Sequence, residues 1–331
     1  MRILILGGTS FVGRSIAEAA IGAGHDVAFA NRGKTNASLF PNNRHIAFDR
    51  DGDASVLEDV DVDIAIDTCG YTPDSVERSA RALAARIRTY VFVSSIDAYD
   101  LRELHPSETT PSKTLEPGAS TSERLPELYG PHKVRCEQLL VEVLGEKRVL
   151  VVRAGLMVGP HDYTDRFTYW PVRIARGGDI LVPVGRDMPV QLIDVRDVAA
   201  WTIGAVGRNV HGVFGVTGAP GAIAFGDVID ACAGHAAMPL RLHWASDEFL
   251  VEHEVEPWVG LPLWLPPDPD YAGLRNVRTD RAWANGLRCR PLASTVSDIL
   301  AEFAARPAST QLRAGLSAER EAQLIVELAR R

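Results

Sequence analysis

Met1-Arg2-Ile3-Leu4-Ile5-Leu6-Gly7-Gly8-Thr9-Ser10-Phe11-Val12-Gly13-Arg14 opens the chain. Ile3 to Leu6 is a short apolar run of the kind shown by a strand covered on both faces. It leads directly into a glycine turn, after which Val12, Ile16, Ala19 and Ala20 fall on one helical face. In that setting Gly7 permits a tight turn and Gly13 a close approach of helix to strand. The free N–H groups at the helix start then face an anion.

Outward from this stretch, apolar runs at Val27–Ala30, Ile46–Phe48, Ile64–Ile66, Tyr90–Val93 and Val149–Val152 alternate with helical patterns. The helices are expected over Ser75–Ile87 and from about Pro131 to Leu144, and Gly22 and Gly24 stop the first one. Such alternation predicts an α/β fold, a Rossmann-type doubly wound parallel sheet with helices on both faces. The glycine turn (Gly7, Thr9, Ser10, Phe11, Val12 and Gly13) is then expected to hold the pyrophosphate of a nicotinamide dinucleotide. Ser10 replaces the middle glycine of a GxxGxxG pattern.

Residues 1–165 are expected to form the dinucleotide-binding domain, with Val190–Val195 and Val213–Val216 (within 190–217) returning to the sheet. Residues 166–189 and 218–331 are expected to form a smaller, irregular substrate domain, in which tryptophans and prolines thicken. Asp100 to Leu128 reads as a long surface loop. Ser317 caps a terminal amphipathic helix carrying Leu324, Ile325 and Leu328.

The second strand ends Asn31-Arg32-Gly33-Lys34. An NAD site usually places a carboxylate here, on the adenosine 2′-hydroxyl. Asn31 has no charge to repel a 2′-phosphate, and Arg32 with Lys34 can hold one, so NADP(H) is favoured over NAD(H). Arg14 is a further candidate contact; the alternative reading of these charges is as solvated loop residues.

Tyr129-Gly130-Pro131-His132-Lys133 is a YxxxK arrangement at a helix start, which sets Tyr129 and Lys133 one turn apart on one face. An ammonium beside a phenol favours the phenolate and suits it to move a hydroxyl proton. Tyr90-Val91-Phe92-Val93-Ser94-Ser95 brings two hydroxyls to the carboxyl edge of the sheet, where ligands of such folds bind. His132 is expected to face solvent.

Together with Asp49, Ser94-Ser95-Ile96-Asp97-Ala98-Tyr99, Arg153-Ala154-Gly155-Leu156-Met157-Val158-Gly159-Pro160 and Ile193-Asp194-Val195-Arg196-Asp197-Val198-Ala199, these motifs resemble the extended and atypical short-chain dehydrogenase/reductases, often labelled NAD-dependent epimerase/dehydratase, from Met1 to about Ala200. The resemblance implies that Ser95 polarises the substrate oxygen, Tyr129 is the acid/base, Lys133 bonds the nicotinamide ribose and Asp49 reaches the adenine. Ser94 and Asn31 join the cofactor contacts, and the resemblance admits a homodimer.

The chain departs from sugar-nucleotide members at three places. Leu156 stands where they carry asparagine, Val190 where an arginine grips the diphosphate, and Ile96-Asp97 where dehydratases have Asp-Glu. A nucleotide-linked substrate is therefore not expected. The aromatic segment His161 to Trp170, with Trp258 and Trp264, either lines an apolar pocket or forms the small domain's core. Asp97, His161, Phe167 and Trp170 are the substrate candidates.

A net charge of −8 over 331 residues argues against nucleic-acid binding. Cys69, Cys136, Cys232 and Cys289 show no metal spacing and read as scattered core residues in a reducing, cytoplasmic setting, with no metal expected. No apolar run is long enough for a membrane span or a signal-peptide core. The leading expectation is an oxidoreductase moving hydride between NAD(P) and a carbonyl/alcohol of a small metabolite. An epimerase or dehydratase on a sugar or sugar nucleotide, and a non-catalytic cofactor-binding sensor or RNA-associated protein, are the alternatives.

Overall fold

The computed structural model describes residues 1–331. Seven parallel strands form the main sheet: β1 (Arg2–Leu6), β2 (Asp26–Asn31), β3 (Arg44–Ala47), β4 (Ile64–Asp67), β5 (Thr89–Ser95), β6 (Val149–Ala154) and a later strand, Gly212–Val216. Their spatial order is Gly212–Val216, β6, β5, β4, β1, β2, β3. The first strand shows why its sequence is apolar throughout. Ile3 and Ile5 point into one core with Ile16, Ala17 and Ala20 of α1 (Phe11–Gly22). Leu4 and Leu6 point into the opposite core with Val76, Ala80 and Leu83 of α2 (Pro73–Leu83) and Cys136, Leu140 and Leu144 of α3 (Tyr129–Leu144). Alternate residues of a strand face opposite sides, so a strand covered on both faces must be apolar at every position.

Helix α3 starts at Tyr129, two residues earlier than its proline suggests. Pro131 lies in the first turn, where a helix needs no backbone N–H from it. Between β5 and α3, residues 96–128 carry only two single-turn helices, Ile96–Ala98 and Pro126–Leu128. Backbone hydrogen bonds Asp100 N to Pro111 O and Lys113 N to Ala98 O, both 2.9 Å, fold this segment back on itself after β5.

The remaining elements are β7 (Leu156–Val158), α4 (Tyr169–Arg176), β8 (Gly178–Pro183), β9 (Leu192–Asp194), α5 (Val195–Gly207), β10 (Gly212–Val216), α6 (Phe225–Ala233), β11 (Leu240–Ala245), α7 (Asp247–Glu252), α8 (Asp280–Ala284), α9 (Leu292–Ala304) and α10 (Ala318–Leu328). Of the two strands expected to return to the main sheet, only β10 does so, beside β6. Leu192–Asp194 pairs instead with β7 in a separate two-stranded sheet, because the chain has already left the main sheet after Ala154. Helix α5 then packs on α1, contributing Val198, Ala199 and Trp201 to the core under that face.

A third core gathers α4, β8, α6, β11, α7, α9 and α10 around Phe167, Trp170, Phe225, Phe249 and Trp264. Ser317 caps α10 by accepting the Arg320 backbone N–H, and Leu324 is fully buried. Cys136 and Cys232 are buried, and burial pushes both thiols up to about 12. Cys289 is exposed and Cys69 only partly covered, so the four cysteines are not uniformly core residues. No helix is long and apolar enough to cross a membrane.

Candidate active site

The carboxyl ends of β1, β2, β4, β5 and β6 border one cavity of about 1160 Å³ that extends under the C-terminal half. At one end lies the glycine turn. Gly7 and Gly8 hold φ of 96° and 86°, a region that strains any side chain-bearing residue. A Cβ on Gly13 would stand 2.8 Å from the Gly8 nitrogen, so the helix can approach the turn only without one. Ser10 supplies no side-chain cap to α1, and its neighbours Phe11 and Val12 line the cavity. An uncapped helix start behind a glycine turn is the donor set a pyrophosphate fits.

Gly7, Thr9, Ser10, Phe11, Val12, Asn31, Arg32, Lys34 and Asp49 all line this cavity, whereas Gly13 lies behind it. Both ends of the Asn31 amide are engaged. Its Nδ2 donates to Gly7 O and its Oδ1 accepts from Gly33 N, each at 2.9 Å. Asn36 Nδ2 donates to Thr9 O at 2.8 Å. The segment after β2 therefore braces the turn, and Asn31 acts through that bracing. Arg32 and Lys34 form no ion pair. Arg14 is directed away, onto Glu18 at 2.7 Å.

Ser94, Ser95, Asp97, Tyr129 and Lys133 line the same cavity. Lys133 is buried, and its Nζ donates to Gly70 O at 2.8 Å and Val93 O at 2.9 Å. Two of its three donors are thus fixed, with Nζ 5.7 Å from the centre of the Tyr129 ring. Tyr129 is 37% exposed and its hydroxyl bonds no protein group. Ser95 Oγ accepts the Asp97 backbone N–H at 3.1 Å, which leaves its own proton free to donate. Gly130 explains the small residue inside YxxxK: a Cβ there would lie 2.5 Å from Asp97 O. Ser94 is engaged elsewhere, donating to Glu137 at 2.6 Å.

Two buried ion pairs lie beneath this edge. Arg50 meets Asp67 through both nitrogens, at 2.6 and 2.8 Å, and Tyr90 donates to the same carboxylate at 2.8 Å. Arg153 meets Glu137 at 2.6 and 3.0 Å and donates to Ser112 at 2.9 Å. Burial, then the Asp67 charge, pushes the Tyr90 phenol well up.

Other expectations fall differently. Phe167 and Trp170 are fully buried in the C-terminal core, not at the cavity, and Trp170 Nε1 donates to Pro262 O at 2.9 Å. His161 also lies off the cavity, 3.5 Å from Glu302, with burial and then Arg14 lowering its pKa. His132 is buried and bonded to Ser120 O at 2.6 Å, not solvent-facing. Trp264 is core, whereas Trp258 lines the cavity.

Sequence reasoning passed over Tyr71, Arg124, Arg275 and Arg313 and left Tyr163 and Arg166 within the undecided segment His161 to Trp170; all six line the cavity. Tyr71 follows β4 at the sheet's carboxyl edge, a position that signals a ligand contact. Its phenol is raised by burial and then by the neighbouring Tyr163 and Tyr129, and the Lys133 ammonium lies 5.1 Å from its ring centre. The arginines carry no local signal, because separate segments far along the chain bring them in. No group of three or more His, Cys, Asp or Glu side chains is placed to hold a metal ion.

Residues 3–213 match the NAD dependent epimerase/dehydratase family. No curated protein sequence matches the chain. Among solved structures, the Bordetella bronchiseptica enzyme WbmH in complex with NAD+ superposes with a TM-score of 0.65 at 17% identity, over 92% of this chain and 98% of that one. The UDP-N-acetylglucosamine 4-epimerase of Bacillus cereus gives a TM-score of 0.65 at 15% identity, over 94% and 99%. The UDP-glucuronic acid 4-epimerase of the same organism, in complex with NAD, gives 0.65 at 13%, over 92% and 99%. At these identities the likeness is one of fold.

Proposed function

Since the chain belongs to the NAD dependent epimerase/dehydratase family, we propose that it is an NAD(P)-dependent oxidoreductase of the short-chain dehydrogenase/reductase type, acting on a carbonyl/alcohol of a small metabolite. The observation that carries this reading is the convergence of Ser95, Tyr129 and Lys133 on the cavity that also holds the glycine turn. The turn, the α1 N-terminus and Asp49 would hold the dinucleotide, which when bound supplies a hydride acceptor or donor.

The remaining chemistry belongs to side chains. The free Ser95 proton donates to the substrate oxygen and fixes its place. Tyr129 Oη takes the hydroxyl proton during oxidation and returns it during reduction. Lys133, anchored on two carbonyls, holds its ammonium 5.7 Å from the centre of that ring. Tyr71 and Tyr163 line the same cavity.

Leu156 and Val190 support a substrate without a nucleotide, because both line the cavity with apolar side chains where sugar-nucleotide members place polar grips. Arg32 and Lys34, free of carboxylate partners, support NADP(H) over NAD(H) as the finer choice. The family membership favours one further reading, an epimerase in which hydride leaves and returns on the same cofactor. Net change in nicotinamide absorbance on adding substrate separates the two, since only a dehydrogenase produces one. Tyr129→Phe is expected to lower turnover by about 10²–10⁴-fold with cofactor Kd nearly unchanged by calorimetry. Retained turnover overturns the assignment.

A further inference from the structure

Charges on the cavity wall are divided unevenly. Near the sheet edge Arg50 is paired with Asp67, and Asp97 is paired with Lys113 at 2.7 Å. Asp162 is buried, and burial raises its pKa toward the neutral form. Arg166, Arg275 and Arg313 line the cavity from three separate segments, and none forms an ion pair, although the Arg166 charge acts on the Asp162 carboxyl. The only hydrogen bond from the Arg275 guanidinium is a long one, Nη2 to Leu263 O at 3.3 Å. Burial lowers its pKa, with Asp247 opposing weakly. Arg166 lies 5.7 Å over the Trp258 ring, and the Arg313 side chain bonds nothing.

The placement of Arg275 is built. Gln191, fully engaged and buried, donates to Gly218 O at 2.8 Å and Val277 O at 2.7 Å and accepts Val277 N at 2.9 Å. That clamp fixes the chain two residues beyond Arg275. On the other side, Gly273 N donates to Leu101 O at 2.8 Å, and Tyr271 lies 5.8 Å from the Lys113 ammonium bonded to Asp97. The segment therefore runs beside the Ser95–Asp97 corner. A half-buried guanidinium at a cavity wall with most of its five donors unused is open to a ligand that supplies the counter-charge.

We propose that this wall is an oxyanion site: the substrate is a small acidic metabolite whose carboxylate or phosphate group is gripped by Arg275, with Arg166 and Arg313 adding positive charge. The inference rests on the oxidoreductase reading for the word substrate, and on the arginines alone for the anion. A planar guanidinium fork matches either group with two parallel hydrogen bonds.

The test is an NMR titration of the guanidinium Nε–Hε signals in NAD-loaded protein, with acetate, inorganic phosphate and neutral acetamide as probes. The Arg275 signal is identified by its loss in Arg275→Gln. It is expected to move saturably with an anion and not with acetamide. In Arg275→Gln the anion affinity, followed on Arg166 and Arg313, is expected to fall about tenfold or more. Movement with acetate alone marks a carboxylate substrate; tighter movement with phosphate marks a phosphoryl one. Arg275→Gln should melt no lower than the parent, since it removes an uncompensated cation. A lower melting temperature, or no anion-dependent shift, overturns the proposal. Calorimetry of NAD on the same samples is read separately: failure to bind NAD defeats the oxidoreductase reading and leaves the anion titration of the unloaded protein standing.

Discussion

The two ends of the cavity treat charge in opposite ways, buried and paired at one, half-buried or exposed and unpaired at the other. Under the sheet edge, Arg50 and Arg153 are each held by a carboxylate through two nitrogens, and Tyr90 and Ser94 complete those networks. On the C-terminal wall, Arg275, Arg166 and Arg313 form no ion pair. A buried charge that is fully partnered holds the fold's elements in place; a half-exposed one left unpaired at a cavity is available to a ligand. The difference separates the frame of the site from its selective surface.

The strongest way to break this contrast is Glu137→Leu. It strands Arg153 in a buried position and leaves Ser94 Oγ without its acceptor, so unfolding free energy is expected to fall by about 3–5 kcal/mol. Chemical denaturation measures it. Glu137→Leu combined with Arg153→Met should regain most of that loss, because the isolated cation has gone. A double variant as unstable as the single one would show that the pair does more than balance charge.

A smaller effect sharpens the cofactor end. Arg32→Ala together with Lys34→Ala is expected to weaken NADPH binding by roughly tenfold or more while NADH binding changes little. Equal losses for both cofactors would remove the argument for a 2′-phosphate grip.

The smallest effect concerns an ion pair on the sheet's far edge. Arg2 donates to Asp63 at 2.8 Å, with its backbone N–H adding a bond at 2.9 Å, and these hold the Asp63 carboxyl down to about 2 from 3.8. A depressed carboxylate contributes stability that is present above pH 3.8 and lost as pH falls toward about 2. Asp63→Asn should flatten the stability–pH curve in that window, lowering stability above it, near neutrality included, and leaving it little changed at pH 2. An unchanged acid limb would mean that solvent already screens the pair.

Much of the frame was legible locally. The strand-turn-helix at Ile3–Ile16 shows itself because a two-faced strand, a glycine turn and a helical stripe are all short-range patterns. The YxxxK spacing is likewise one helical turn, though its first residue proved to be the helix start because Pro131 is tolerated there. The aromatic segment was not decidable in this way. Phe167 and Trp170 entered the core while Tyr163 and Trp258 lined the cavity, and a core and an apolar pocket ask for the same side chains.

The glycine turn, the parallel sheet and the Ser95, Tyr129 and Lys133 positions were therefore determined by residues near one another in the chain. Their joining into one cavity was not. Leu192–Asp194 left the main sheet, Asn31 became a brace for Gly7, and His132 was buried on Ser120 O. Arg275 gained its place through Gln191, 84 positions earlier, and kept its guanidinium out of any ion pair. Periodicity and spacing report which face a residue takes within its own element; the partner it meets there is set by segments brought together only when the chain folds.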